Sequence, residues 1–355
     1  MEKRKILLIV PRMNIGGAET YVKTVALGLH DLGWEVHVAS GGGSLVADLK
    51  CAGIRHHFVP IRLHAGLAAY LLERIIQRYQ IDIMHANSAA AGIAAVKVKK
   101  KLGLPLIYTA HGIFGNRKEQ CLRQCDKIIC VSEAARKIQI ERGFPEEKLC
   151  VMYTGIDLDT FKPDVRARAS LRRELGISEN TFTVALVARI KNLRNKGHLD
   201  LLQIFREYPE TKNWKALIVG TGEAYWKLRY LVWKEGLGDR ILCLGQRIDV
   251  AAIMNAVDVV VLPSRFETFG LVLVEAMAMG KPIVAYDVGG VGEIGIKEES
   301  GFYVEFGKVK ILYKKLFLLA KEENLSVRMG DKGKEWVIKN CSIGVMLKKL
   351  VSLYG

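Results

Sequence analysis

Apolar residues recur along this chain in two rhythms, and the alternation runs through twice. Short runs rich in β-branched residues read as strands: "KILLIVP", "WEVHVAS", "RHHFVP", "IDIMHA", "PLIYTAH" and "KIICVS" in the first half. Between several of them lie longer stretches such as "HAGLAAYLLERIIQRYQ", apolar at helical spacing. The pattern restarts with "TFTVALVARI", "WKALIVG", "RILCLG", "VDVVVLPS", "PIVAYDV" and "GFYVEF". Strands that alternate with helices predict βαβ units and parallel sheets, an α/β class of doubly wound domains.

The break between the two series falls in "MYTGIDLDTFKP", a segment with Gly, Asp and Pro that reads as a linker around 154–163. The expected domains are residues 1–163 and 164–339. Residues from about 309 to 353 show helical patterning and no strand, and the last helix, about 340–355, is free to pack back on the first domain. Two doubly wound domains imply a cleft, with ligand sites at the carboxyl ends of the strands.

A chain of 355 residues is too long for one ordinary core and suits two domains. Basic residues before the apolar run Ile6 to Val10 imitate a signal peptide, but that run is far too short and reads as a first strand. No uncharged apolar run reaches the ~18 residues of a membrane span. The expected location is therefore cytoplasmic, and seven cysteines there imply free thiols. Cys121, Cys125 and Cys130 cluster without zinc spacing or a flanking His, which favours buried apolar roles over a metal site.

The net charge of +16 leans toward the N-terminal half, with a knot at "KVKKK", Lys97 to Lys101. Such a surface attracts nucleic acid, anionic lipid or phosphorylated substrates without choosing among them. No nucleic-acid-binding motif or aromatic–basic interleaving accompanies it, so nucleic acid is not an expected partner.

Candidate chemistry collects at the predicted strand ends. In "SRFETFGLVLVEAMAMGKP", Glu267 follows a strand, and a helix begins near Gly270. The backbone N–H groups of Phe269, Gly270 and Leu271 would suit an anion such as phosphate. Glu275 lies further along that helix in an apolar run, where a carboxylate makes sense as an acceptor for vicinal hydroxyls such as those of a ribose. Helix-dipole or capping roles for both acids stay open. "LVARIKNLRNKGH" brings Arg189 and Lys196 to another strand end, a pairing able to clamp a diphosphate. Gly16 and Gly17 in "NIGGAET" and Gly220 and Gly222 in "VGTGE" sit at strand-to-helix turns, but G-x-G-x-x-G is absent. "YTAHG" puts His111 at a strand end, where a structural role is the commoner one.

Taken together these segments resemble retaining glycosyltransferases of family 4, over nearly the whole chain. "GGAET" is similar to the family's N-terminal glycine loop, "TAHG" to its His-bearing strand end and "VARI…NKGH" to its Arg/Lys pair. "VGTGE" is similar to its second glycine turn, and "PSRFETFGLVLVEAMAMGKPIVAYDVGG" to its long E-x7-E signature. The resemblance implies a GT-B fold of two facing Rossmann-like domains, the first binding acceptor and the second the nucleotide sugar. It implies that Glu275 holds the donor's ribose and Glu267 its sugar hydroxyls. Arg189 and Lys196 would neutralise the diphosphate, His111 would contact the donor sugar, and Gly16 and Gly17 would let the N-terminal domain close on the phosphates. Three departures are that the Arg189-to-Lys196 loop is longer than in many relatives, that Thr154 stands where relatives often have Asn, and Gly292 where they often have Pro.

The implied reaction is transfer with retention from a nucleoside-diphosphate sugar to a glycan, lipid-linked or other envelope acceptor. No DxD-like motif is placed for a metal, so fixed cations and N–H groups would stabilise the leaving diphosphate, without metal or cofactor. A nucleotide-sugar epimerase of the same architecture is one alternative, and a non-enzymatic basic nucleotide- or anion-binding protein another. The basic first half adds the expectation of peripheral contact with an anionic membrane through Lys97–Lys101.

Overall fold

The structure is a computed structural model and describes residues 3–112 and 117–355. The chain divides into two compact units, residues 1–155 with 343–355, and residues 156–342.

The first unit holds a seven-stranded sheet of β1 (Lys5–Ile9), β2 (Glu35–Ser40), β3 (Arg55–Phe58), β4 (Ile83–Ala86), β5 (Leu106–Ala110), β6 (Lys127–Cys130) and β7 (Leu149–Val151). The order is β3-β2-β1-β4-β5-β6-β7, and every pairing is parallel. β7 escapes the sequence pattern: three residues are too few to show a period, and pairing with β6 alone defines the strand. Along β1, Ile6 and Leu8 enter one core, and Leu7 and Ile9 the other. Both faces of the sheet are therefore covered, as a parallel sheet requires.

The second unit holds β8 (Thr183–Val187), β9 (Lys215–Val219), β10 (Ile241–Gly245), β11 (Val259–Leu262), β12 (Ile283–Tyr286) and β13 (Gly301–Val304). Their order is β10-β9-β8-β11-β12-β13, again all parallel. In each sheet the chain lays strands outward on one side of the starting strand and then returns to its other side. The crevice at such a reversal, outside the strand carboxyl ends, is where open α/β sheets take ligands. In the second unit that reversal lies between β8 and β11, the strands preceding Arg189 and Glu267.

Arg172, on the helix Val165–Glu174, is fully buried in the second unit. Its guanidinium donates to the carbonyls of Ala256, Ser178 and Thr181 and lies 3.7 Å from Asp258. The chain closes with three helices, Val309–Lys321, Glu323–Cys341 and Ile343–Tyr354. The last is part of the first unit: Met346, Leu347 and Leu350 enter its core, and a Cβ on Gly28 would stand 2.3 Å from Leu347. At the crossing, Ile156 bridges Ser342 and donates to the Cys341 carbonyl at 2.7 Å.

Candidate active site

In the second unit the loops leaving β8, β9, β11 and β12 are fastened to one another by glycine contacts. Gly220 and Gly222 have φ of +137° and +155°, and a Cβ on either would fall within 2.5 Å of the Ala188 or Ile190 carbonyl oxygen. The Ile190 amide in turn donates to the Thr221 carbonyl at 3.0 Å. The "VGTGE" turn thus seats the backbone carrying Arg189, where any side chain would push it away.

Gly197, at φ +69°, would place a Cβ 2.1 Å from the Pro263 carbonyl, and the Arg265 amide donates to the Asn195 carbonyl at 2.9 Å. On the other side Gly289, at φ +53°, would place one 2.0 Å from the Glu267 carbonyl, which accepts from the Gly290 amide at 3.0 Å. The glutamate's backbone is held from both directions.

Its side chain is held as well. Ser264, fully buried at the end of β11, donates its hydroxyl to the Glu267 carboxylate at 2.8 Å, and the Lys196 ammonium donates to the same oxygen. The two charged side chains are 29% and 13% exposed, so the pair is screened from most of the solvent. The two cations expected at the diphosphate have different surroundings. Lys196 sits on Glu267, whereas Arg189 is three-quarters exposed with Glu223 at 3.8 Å.

The helix after Glu267 spans Leu271–Ala278. Gly270 precedes it at φ +96°, and no side chain caps its N-terminus. Phe269 is buried. Glu275 projects from this helix between the buried Val274 and Ala276 and is itself only partly exposed. Among the described residues no hydrogen bond or ion pair reaches its carboxyl, and desolvation pushes it up to about 7. A partly ionised, unpaired carboxyl in an apolar helix is an acceptor short of donors. His198, two residues after Lys196, is buried, neither ring nitrogen has a partner among the described residues, and burial pushes it down to about 4.

In the first unit His111 follows β5. Its Nε2–H donates to the Asn87 side-chain oxygen at 3.4 Å, and the Tyr21 ring meets it edge-on at 4.7 Å. Burial pushes His111 down to about 4, so the ring is neutral near pH 7. Behind it His85 bridges Thr109 and the Tyr354 hydroxyl, each at 2.7 Å. Gly16, before the helix Gly17–Asp31, has extended backbone at φ 179°, which any residue adopts. A Cβ there would meet only the Glu19 carboxylate, at 2.6 Å, so the turn itself does not demand glycine.

Three residues beyond the sequence reading complete the picture: Ser264, Gly197 and Gly289. A glycine directly after a lysine, and a glycine pair after a strand, were the available signals. A Cβ on Gly292 would lie 2.3 Å from an Asp287 carboxylate oxygen, the end of a side chain that can turn aside, so that position does not demand glycine either. The cysteines are all free thiols, and burial pushes Cys125 and Cys130 up to about 12, which makes them poor nucleophiles. The lysine knot is partly spent: Lys99 pairs with Asp126 and Lys101 with Glu73, each at 2.6 Å. No helix among the described residues is long and apolar enough to cross a membrane.

Known proteins resemble the chain throughout its length. Residues 167–336 match the family model of glycosyl transferases group 1, and residues 15–160 that of glycosyltransferase family 4. The N-acetyl-alpha-D-glucosaminyl L-malate synthase of Bacillus anthracis is 27% identical over 96% of this chain and 93% of its own. An Escherichia coli UDP-Gal:alpha-D-GlcNAc-diphosphoundecaprenol alpha-1,3-galactosyltransferase is 25% identical over 87% of this chain and 86% of its own. Among solved structures, Anabaena HepE in complex with UDP and glucose superposes with a TM-score of 0.88 at 24% identity, covering 99% of both chains. With both units matched by glycosyltransferase models and the fold shared with GT-B enzymes, the chain belongs to the family 4 glycosyltransferases.

Proposed function

We propose that this glycosyltransferase moves a sugar, with retention and without a metal, from a nucleoside-diphosphate sugar to a glycan, lipid-linked or other envelope acceptor. The observation that carries the reading is the contrast between two glutamates at the β11 strand end. Glu267 is already tied down by Lys196 and Ser264, whereas Glu275 has no partner among the described residues and a carboxyl raised to about 7. Ribose hydroxyls would supply the donors Glu275 lacks. Glu267, fixed in orientation, would accept from hydroxyls of the donor sugar.

The leaving diphosphate needs positive charge that does not have to reorganise. Arg189, exposed and only loosely held by Glu223, is the group we assign to it, with the N-terminus of the helix at Leu271. Lys196 would reach a phosphate while still holding the Glu267 carboxylate in place. His111, neutral, takes the sugar-contacting role that the family pattern implies, and Gly16 and Gly17 the phosphate-side loop. We assign the enzyme to the cytoplasm, peripheral to the membrane where a lipid-linked acceptor would be found. UDP is the first nucleotide to try, since Anabaena HepE is solved with UDP and glucose.

Calorimetric binding of UDP, GDP and ADP in the presence of EDTA tests this reading. One nucleotide should bind best, and Glu275→Ala should weaken it by about 1.5–3 kcal/mol through loss of charge-assisted bonds. Binding that needs a divalent ion, or that ignores Glu275, would overturn it.

A further inference from the structure

The helix Tyr225–Lys234, after the "VGTGE" turn, has a face that the nucleotide chemistry leaves unused. Leu228 and Val232 are its buried residues. Trp226, Tyr230 and Trp233 are 71%, 54% and 74% exposed, and their i, i+4, i+7 spacing places them on one side of the helix. The Tyr230 and Trp233 rings lie 5.9 Å apart, and the Arg229 guanidinium stands 5.1 Å over Trp226. The helix carries Lys227, Arg229 and Lys234, all exposed, and no acid.

The nearest acids in sequence flank the helix, one at each end. Glu235 lies 3.4 Å from Arg206, whereas Glu223 stands only loosely beside Arg189, at 3.8 Å. Asp239 lines a groove of about 500 Å³ together with Arg229, Trp233 and Leu242. Among the described residues it is the one carboxylate lining that groove, against three cations on the helix.

We propose that this aromatic face of the Tyr225–Lys234 helix docks the protein on an anionic lipid surface. Trp and Tyr combine an apolar body with a polar tip and settle at the headgroup level of a bilayer. Cations interleaved with them meet lipid phosphates, and a helix lying in the interface buries its apolar face while its charges stay in the headgroups. The surface of a helix is convex and its cations run along its length. That shape fits a plane of many anionic groups better than one small ligand. This face also supplies what the Lys97–Lys101 run lacks, since two of those lysines are engaged by Asp126 and Glu73.

The test is co-sedimentation of the full chain with vesicles of phosphatidylglycerol and phosphatidylcholine in equal parts, against phosphatidylcholine alone. The wild type should partition to the anionic vesicles with a blue shift of its tryptophan emission. Trp226→Ser/Trp233→Ser should lower the partition coefficient at least about tenfold. Lys227→Gln/Arg229→Gln/Lys234→Gln should lower it on the order of a hundredfold. Nucleotide affinity, measured on the same proteins, should be unchanged in both, which separates this proposal from the donor assignment and verifies the fold of each variant. Equal partitioning of the wild type and both variants would overturn it. So would self-association of the wild type that the aromatic variant abolishes, without vesicle binding, because the face would then join copies of this chain.

Discussion

Glu275→Gln tests the site through one charge. Desolvation raises the Glu275 carboxyl from an ordinary 4.5 to about 7. The folded protein therefore keeps a proton that the unfolded chain has already lost across that interval. The corresponding stability is fully present below about pH 4.5 and is lost as pH rises through about 7, a fall of about 3 kcal/mol. A glutamine has the same shape and no charge, so the variant lacks this dependence. Urea unfolding of both proteins, followed between about pH 4.5 and pH 8, gives the difference curve. It should be near zero at the acid end, where a protonated carboxyl and an amide are equivalent, and reach about 3 kcal/mol in favour of glutamine at the alkaline end. His57, His111 and His198, pushed down to about 4, and His85, pushed down to about 3, act in the opposite sense. Stability from these neutral rings is present above about pH 6.5 and lost as pH falls, but both proteins share it and it cancels. A flat difference curve would refute the claim that an unpaired carboxyl sits in this helix.

Four further outcomes follow from the contacts. Gly289→Ala adds a Cβ 2.0 Å from the Glu267 carbonyl at φ +53°, so melting should reveal a loss of about 2 kcal/mol or more together with reduced transfer. Lys196→Met leaves the Glu267 carboxylate held by Ser264 alone, and steady-state transfer should fall about a hundredfold while circular dichroism stays native. Ending the chain at Ser342 removes Met346, Leu347 and Leu350 from the first unit's core. At about 1.5–3 kcal/mol for each, that unit should lose amide-exchange protection and bind a hydrophobic dye. Tyr354→Phe deletes the 2.7 Å bond to His85, and chemical denaturation should show about 1 kcal/mol lost.

The sequence by itself determined the two parallel sheets, because strands buried on both faces must be written as short apolar runs with helices between them. Twelve of the strand positions are legible in that way, and β7 is not, since three residues hold no period. The positions of Glu267 and Glu275 were also legible, as carboxylates in a stretch that otherwise reads as core. Only the tertiary structure decided what those groups do to one another. That Lys196 lies on Glu267 rather than standing open beside Arg189 depends on the loops after β8 and β11 meeting across a strand boundary, 71 residues apart in sequence. The glycines that permit the meeting, Gly197 and Gly289, look like ordinary turn residues until the carbonyls of Pro263 and Glu267 are found in the space of their missing side chains. Likewise the spacing of Trp226, Tyr230 and Trp233 along the sequence does not say which side of their helix the fold covers. Burial by the rest of the fold, which is not local, is what distinguishes Leu228 and Val232 from Trp226 and Trp233.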